Sequence, residues 1–266
     1  MFSLKKHNFV LQIQFKPFMQ MRKSILFLLV LLTIPFLQSC LDDPERHQLN
    51  VVYPNNTLLF ADATVDSLQF YTFDSWEVHP NCSWIDVNGD NKYNFSYEYD
   101  KLYLCTVLLS LQPNTTGKTR IGTVTVNSYD YSASGLYTQL GYLRVTNLNY
   151  KVKDYVTSPY DGVSVSIPLS VDFYMADSAF VTQDSICFTV EKSWTLGTPD
   201  GSELPSWFQL EKTSGRAGYN NVAVTLEENP YYEDRKTTVR LSSSGVNTDI
   251  SITQFARKKS TEEEEE

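Results

Sequence analysis

The sequence predicts an all-β chain folded as two tandem β-sandwich domains, and three observations carry that prediction. Beyond residue 49, apolar and polar residues alternate with period two in short runs rich in Val, Thr, Tyr and Phe. Those runs recur in the same order in two halves of the chain. No part of the same region carries an apolar stripe at helical spacing, so nothing there competes with strands.

In chain order, the first element is a leader. Met21-Arg22-Lys23 is basic, Ile25 to Leu37 is an apolar run of 13 residues, and Leu37-Gln38-Ser39-Cys40 closes it. A membrane-spanning helix needs about 20 apolar residues, so residues 1–39 are expected to be a signal peptide and not an anchor. Residues 1–20 mix Phe2, Phe9, Val10 and Phe15 with Lys5, Lys6 and Lys16, a poor basic leader, which makes Met21 the expected start. Leu37-Gln38-Ser39-Cys40 resembles the lipobox of bacterial lipoproteins, whose cysteine thiol takes a diacylglycerol group. That resemblance implies lipidation of Cys40, a membrane partner reached through that lipid, and an outer-membrane location. Asp42, Asp43 and Glu45 follow at once in a tether over residues 40–49. They resemble the surface-export signal of Bacteroidetes lipoproteins, and a solvated acidic tether is the alternative reading.

The whole chain of 266 residues has a formal charge of −9; without residues 1–39, 17 Lys+Arg face 31 Asp+Glu and the charge is −14. So acidic a body excludes nucleic acid as a main partner, because phosphate neutralisation needs a basic surface. It also leaves anchoring to the lipid, since an anionic membrane repels it.

Next comes the repeat. Asp66-Ser67-Leu68-Gln69-Phe70-Tyr71-Thr72-Phe73-Asp74-Ser75-Trp76 aligns without gaps on Asp184-Ser185-Ile186-Cys187-Phe188-Thr189-Val190-Glu191-Lys192-Ser193-Trp194. A second Ser-Trp follows in each half, at Trp84 and Trp207. Val107, Leu109 and Leu111 match Val222, Val224 and Leu226. Asn114 and Arg120 match Asn229 and Arg235, followed by a Thr-Val strand in each half. Leu143-Arg144-Val145-Thr146 is taken as the closing strand of the first half, opposite Ile250-Ser251-Ile252-Thr253 in the second. Domains are therefore expected at 50–149 and 150–256, with 257–266 a disordered charged tail. Half-buried strands need a second sheet to cover their apolar face, hence sandwiches.

With Leu204-Pro205-Ser206-Trp207, Ser214-Gly215, Asn229, Arg235, Thr238-Val239 and Ile252-Thr253-Gln254, the second half resembles a BACON domain. The resemblance implies an immunoglobulin-like β-sandwich, of a kind found in surface and secreted proteins of Bacteroidetes, and a carbohydrate- or mucin-binding role. The first half departs from it: it lacks the Ser-Gly break, places Asn147 where the closing Gln should fall, and spaces Trp84 and Asn114 more widely.

Sugar sites use exposed aromatic faces beside hydrogen-bonding groups. Tyr231 and Tyr232, inside the Asn229–Arg235 loop, are the first candidates, with Tyr219 before a strand and Tyr129, Tyr131 and Tyr137 in an expected Ser/Gly loop. Tyr93, Tyr97, Tyr99 and Tyr103 are read as one strand face. Trp76, Trp84, Trp194 and Trp207 are expected core plugs. Each Asn–Arg pair is expected to clamp a turn. Asp86-Val87-Asn88-Gly89-Asp90 fails the calcium-loop pattern and reads as a hairpin turn, so no metal and no cofactor is expected. His47 and His79 lie in no nucleophile or metal motif, which argues against an enzyme. Beyond Cys40, Cys82 and Cys105 lie in one domain and are able to bridge in an oxidising envelope, though the second domain has no copy of the pair, and Cys187 reads as a lone thiol. Asp66-Ser67-Leu68, Asp177-Ser178-Ala179 and Asp184-Ser185-Ile186 match a loose O-glycosylation triplet. The sequence thus points to a surface lipoprotein that binds glycans without catalysis, or to a spacer that contacts another envelope protein.

Overall fold

The computed structural model describes residues 48–54, 58–94, 101–160, 163–177 and 182–257. The leader, Cys40, His47, Tyr97, Tyr99, Ser178-Ala179 and the tail beyond Arg257 lie outside them. The strands are β1 (Leu49–Tyr53), β2 (Leu58–Leu59), β3 (Val65–Thr72), β4 (Trp76–Pro80), β5 (Ile85–Val87), β6 (Lys92–Tyr93), β7 (Tyr103–Leu111), β8 (Arg120–Ser128) and β9 (Tyr131–Gln139). There follow β10 (Arg144–Val145), β11 (Asn149–Tyr160), β12 (Val163–Asp177), β13 (Gln183–Val190), β14 (Trp194–Gly197), β15 (Phe208–Leu210), β16 (Ser214–Gly215), β17 (Gly218–Leu226), β18 (Arg235–Ser243) and β19 (Val246–Gln254).

These form two all-β sandwiches of one design. In the first, sheet β1-β3-β7-β5 faces sheet β2-β9-β8-β4-β6. In the second, β10-β13-β17-β15 faces β11-β12-β19-β18-β14-β16. With β11 set aside, every strand has a counterpart, down to the parallel pairs β2–β9 and β12–β19. Alternation explains the layering. In β7, Val107, Leu109 and Leu111 point inward between exposed or half-buried neighbours, and β19 buries Val246, Thr248, Ile250 and Ile252 in the same rhythm. Each sandwich has its own core. Edge-to-face ring pairs repeat in them, Phe70–Trp76 at 5.4 Å and Phe188–Trp194 at 5.0 Å, each contributing about 0.5–1.5 kcal/mol beyond its area.

Three expectations change. Leu143–Thr146 does not close the first half, because Arg144 pairs with Thr189 and Val145 with Phe188, making β10 an edge strand of the second sandwich. The closing strand of the first is β9, paired along its whole length with β8. The Tyr129–Tyr137 segment is therefore a two-residue turn and a strand, not an extended loop. Asn88-Gly89 does not form a hairpin either: β5 pairs with β7 and β6 with β4, so this turn carries the chain from one sheet to the other. Tyr93 and Tyr103 accordingly belong to different sheets.

The sandwiches share a hydrogen-bonded junction inside one compact unit. Buried Asp62 accepts from the Glu191 amide at 2.8 Å, while the Glu191 carboxylate accepts from the Thr64 amide at 3.2 Å and hydroxyl at 3.1 Å. The Leu143 amide donates to the Thr248 hydroxyl at 2.9 Å, and Ala61 and Leu143 pack into the second core.

Candidate functional site

One end of each sandwich is closed by the same lock. Buried Asn114 donates through Nδ2 to the carbonyls of Lys118 at 2.7 Å and Leu140 at 3.0 Å and accepts from the Thr116 amide at 3.2 Å. Asn229 does the same with Glu233 at 2.9 Å, Phe255 at 3.1 Å and the Tyr231 amide at 3.1 Å. Arg120 lies 4.5 Å over the Trp84 ring, donates to Gln139 Oε1 at 2.9 Å and reaches back to the Gln112 carbonyl. Arg235 lies 4.6 Å over Trp207, donates to Gln254 Oε1 at 2.6 Å and reaches the Glu227 carbonyl. Burial lowers both guanidinium pKa values from their ordinary range. The Asn amides are committed mainly to backbone groups, and each Gln joins its arginine to backbone carbonyls, which makes these residues structural. Gln139 is the closing Gln of the first half. Asn147, expected at that place, instead accepts from the Cys187 amide at 2.7 Å and donates to the Ser185 carbonyl at 2.6 Å.

The tyrosines do not converge. Tyr137 is 0% exposed and donates to the Ser67 carbonyl at 2.7 Å. Its position in β9 matches buried Ile252 in β19, and desolvation pushes its phenol pKa well up. It is a core residue and not a ligand contact. Tyr231 and Tyr232 are exposed at 65% and 47% in the loop that leads into β18, and Tyr219 is exposed at the start of β17. Tyr129 and Tyr131 are exposed at the β8–β9 turn of the other sandwich. Cys82, Cys105 and Cys187 are all free thiols, so the bridge between the first two is not made. Cys82 stands against Gly122 under Trp84, whereas Cys105 faces Trp76.

A second feature lies at the far end of β18 from Tyr231. Here the β18–β19 turn, Ser244-Gly245, takes positive φ values of 53° and 76°, the type I′ pattern of a two-residue hairpin. Beside it an open surface groove of about 560 Å³ is lined by Trp194, Gly215, Arg216, Ser243 and Ser244 among others. A Cβ on Gly215 would sit 2.5 Å from the Trp194 ring, so only glycine allows β16 to lie against the indole. Trp194 Nε1, Ser243 Oγ and Ser244 Oγ are buried there with no hydrogen-bond partner. Each such group costs about 1–3 kcal/mol if left unsatisfied. The lining has no Asp, Glu, His or Cys, hence no base to activate a serine, and Arg216 is its one charged residue. The chemistry it offers is recognition of oxygen atoms. Sequence reasoning placed Trp194 in the core, where it lies, and passed over Ser243 and Ser244; the run Ser242-Ser243-Ser244 was the available signal.

Residues 74–136 and 198–255 match the model of the BACON family, described as "Putative binding domain, N-terminal". The two matched segments, one in each sandwich, are consistent with two BACON-like domains. Among solved structures, a Bacteroides ovatus GH5 xyloglucanase in complex with a XXXG heptasaccharide is 25% identical over 32% of this chain and 17% of its own, with a TM-score of 0.27. An endo-fucoidan hydrolase of glycoside hydrolase family 107 is 15% identical over 81% of this chain and 30% of its own, with a TM-score of 0.26. Chimeric titin Z1Z2 is 10% identical over 80% of this chain and 98% of its own, also at 0.26. The chain therefore spans less than a third of either hydrolase. No curated protein matches it.

Proposed function

We propose that this chain is a non-catalytic carbohydrate-binding module, held on the outer surface of the outer membrane by a lipid on Cys40. The groove beside Trp194 carries the reading: its wall holds three buried polar atoms without partners, and hydroxyl-rich ligands supply oxygen acceptors and donors at that density. The family description as a binding domain supports it.

Retention on a panel of immobilised glycans and mucin tests the reading. The purified chain should be retained by at least one glycan class. Tyr231→Ala with Tyr232→Ala should lower that retention if the exposed pair forms an outlying contact, and should leave thermal stability unchanged. Cys40→Ala should move the protein from the membrane to the soluble fraction; unchanged partition would refute the lipid anchor. The hydrogen-bonded junction around Asp62 and Glu191 favours a second reading, a stiff spacer for another envelope protein. No retained glycan, with an envelope protein co-purifying instead, would select it.

A further inference from the structure

The two sandwiches allow the groove to be compared with its own duplicate. Trp194 corresponds to Trp76, and Gly215, which pairs with Trp194, corresponds to Tyr93, which pairs with Trp76. In the first sandwich the Tyr93 ring stacks on Trp76 at 6.3 Å and 21°, whereas in the second the backbone at Gly215 lies against the Trp194 indole in place of a ring. Cys105 lies beside the Trp76 indole. Ser128, counterpart of Ser243, shares a hydrogen bond of 2.7 Å with the Thr72 hydroxyl and donates to the Ser75 carbonyl at 3.1 Å. Thr72 corresponds to Val190, which has no polar atom to offer. Cys105 corresponds to Asn220, whose amide is used on the Arg216 and Gly218 carbonyls. Ser128, satisfied within the first sandwich, thus corresponds to Ser243, which has no partner in the second, beside a Trp194 indole that has none either and is flanked by a glycine instead of a tyrosine ring.

We infer that the second sandwich holds the single saccharide site of this pair, and that it takes an acidic sugar through Arg216, Ser243 and Trp194. This rests on the carbohydrate-binding reading above and assigns its place and ligand class. The charge argument is local. In a chain of net charge −9, the groove lining carries Arg216 and no carboxylate. A guanidinium at the rim pairs with a carboxylate or sulfate in two parallel hydrogen bonds. The indole N–H and two serine hydroxyls then face the ring oxygens and hydroxyls of the same unit.

The test uses the full chain with ¹⁵N-labelled tryptophan, whose four side chains give separate indole signals, that of Trp194 assigned by its loss in Trp194→Phe. The probes are tetragalacturonate, a sulfated carrageenan tetrasaccharide and neutral cellotetraose. At least one acidic probe should shift the Trp194 signal and leave the Trp76 signal in place, and the response of the two acids tells carboxylate from sulfate. Arg216→Gln should weaken the acidic probe by about tenfold, the usual scale of one charged hydrogen-bonded contact. Val190→Thr, which returns the partner that Thr72 gives Ser128, should weaken it several-fold without loss of thermal stability. Binding of any probe with the Trp194 signal unmoved would overturn the site and leave the carbohydrate reading standing. Equal binding of neutral and acidic probes, unaffected by Arg216→Gln, would overturn the ligand class. Binding of no probe, together with no retention on the glycan panel, would overturn both.

Discussion

Tyr137 shows what a single side chain decides. Its ring takes a core position that Ile252 fills in the other sandwich, and its hydroxyl reaches the Ser67 carbonyl across the sheets. Tyr137→Phe keeps the ring and removes the donor, leaving that carbonyl one bond short. The expected loss is about 1 kcal/mol of unfolding free energy by urea titration, with glycan retention unchanged. Tyr137 reads in sequence as one of three tyrosines in a Ser/Gly-rich stretch, because Gly135 interrupts the apolar rhythm of β9 where β19 has Ile250. Leu143–Thr146 alternates more cleanly and takes its place in a sequence reading. The better guide was spacing: Gln139 follows Arg120 by 19 residues, as Gln254 follows Arg235.

At the scale of elements, the turn between β7 and β8 and that between β17 and β18 are held by Arg, Trp, Asn and Gln acting together. Arg120→Ala and Arg235→Ala should each destabilise the chain by about 2–4 kcal/mol, combining charged hydrogen bonds with a lost ring contact. Arg→Lys should recover only part, because an ammonium cannot fork between Gln Oε1 and a carbonyl while lying flat on an indole. Equal loss for Lys and Ala would show that the fork carries all of the effect; full recovery by Lys would refute the lock. These elements were legible because their residues lie in local, repeated strings. The Trp194 groove was not. It depends on what stands opposite Trp194 in β16 and opposite Ser243 in the facing sheet, and pairings between distant strands leave no local pattern.

For the whole molecule, the junction matters most. Asp62 is buried and takes the Glu191 amide, and Thr64 holds the Glu191 carboxylate, so each sandwich finishes the other's hydrogen bonding. The chain should unfold in one calorimetric transition. Asp62→Ala should separate it into two or broaden it, since an amide is then left unpaired at the seam. Two transitions already present in the unsubstituted chain would show that the junction couples nothing. The existence of two domains was readable from the repeat, but their seam was not, because Asp62 and Thr64 lie outside the repeated strings and Glu191 stands inside one where the other copy has Phe73.

The parallel pairing of β12 with β19 bears on how this protein withstands force. Phe173–Asp177 lies beside Ile250–Gln254 in the same direction, so tension applied across the second sandwich, at the start of one strand and the end of the other, slides the strands past each other. All the backbone hydrogen bonds of that pair then carry load together and do not open one after another. Under load in that direction the second sandwich would therefore unfold slowly, at a rate set by its barrier and not by its equilibrium stability.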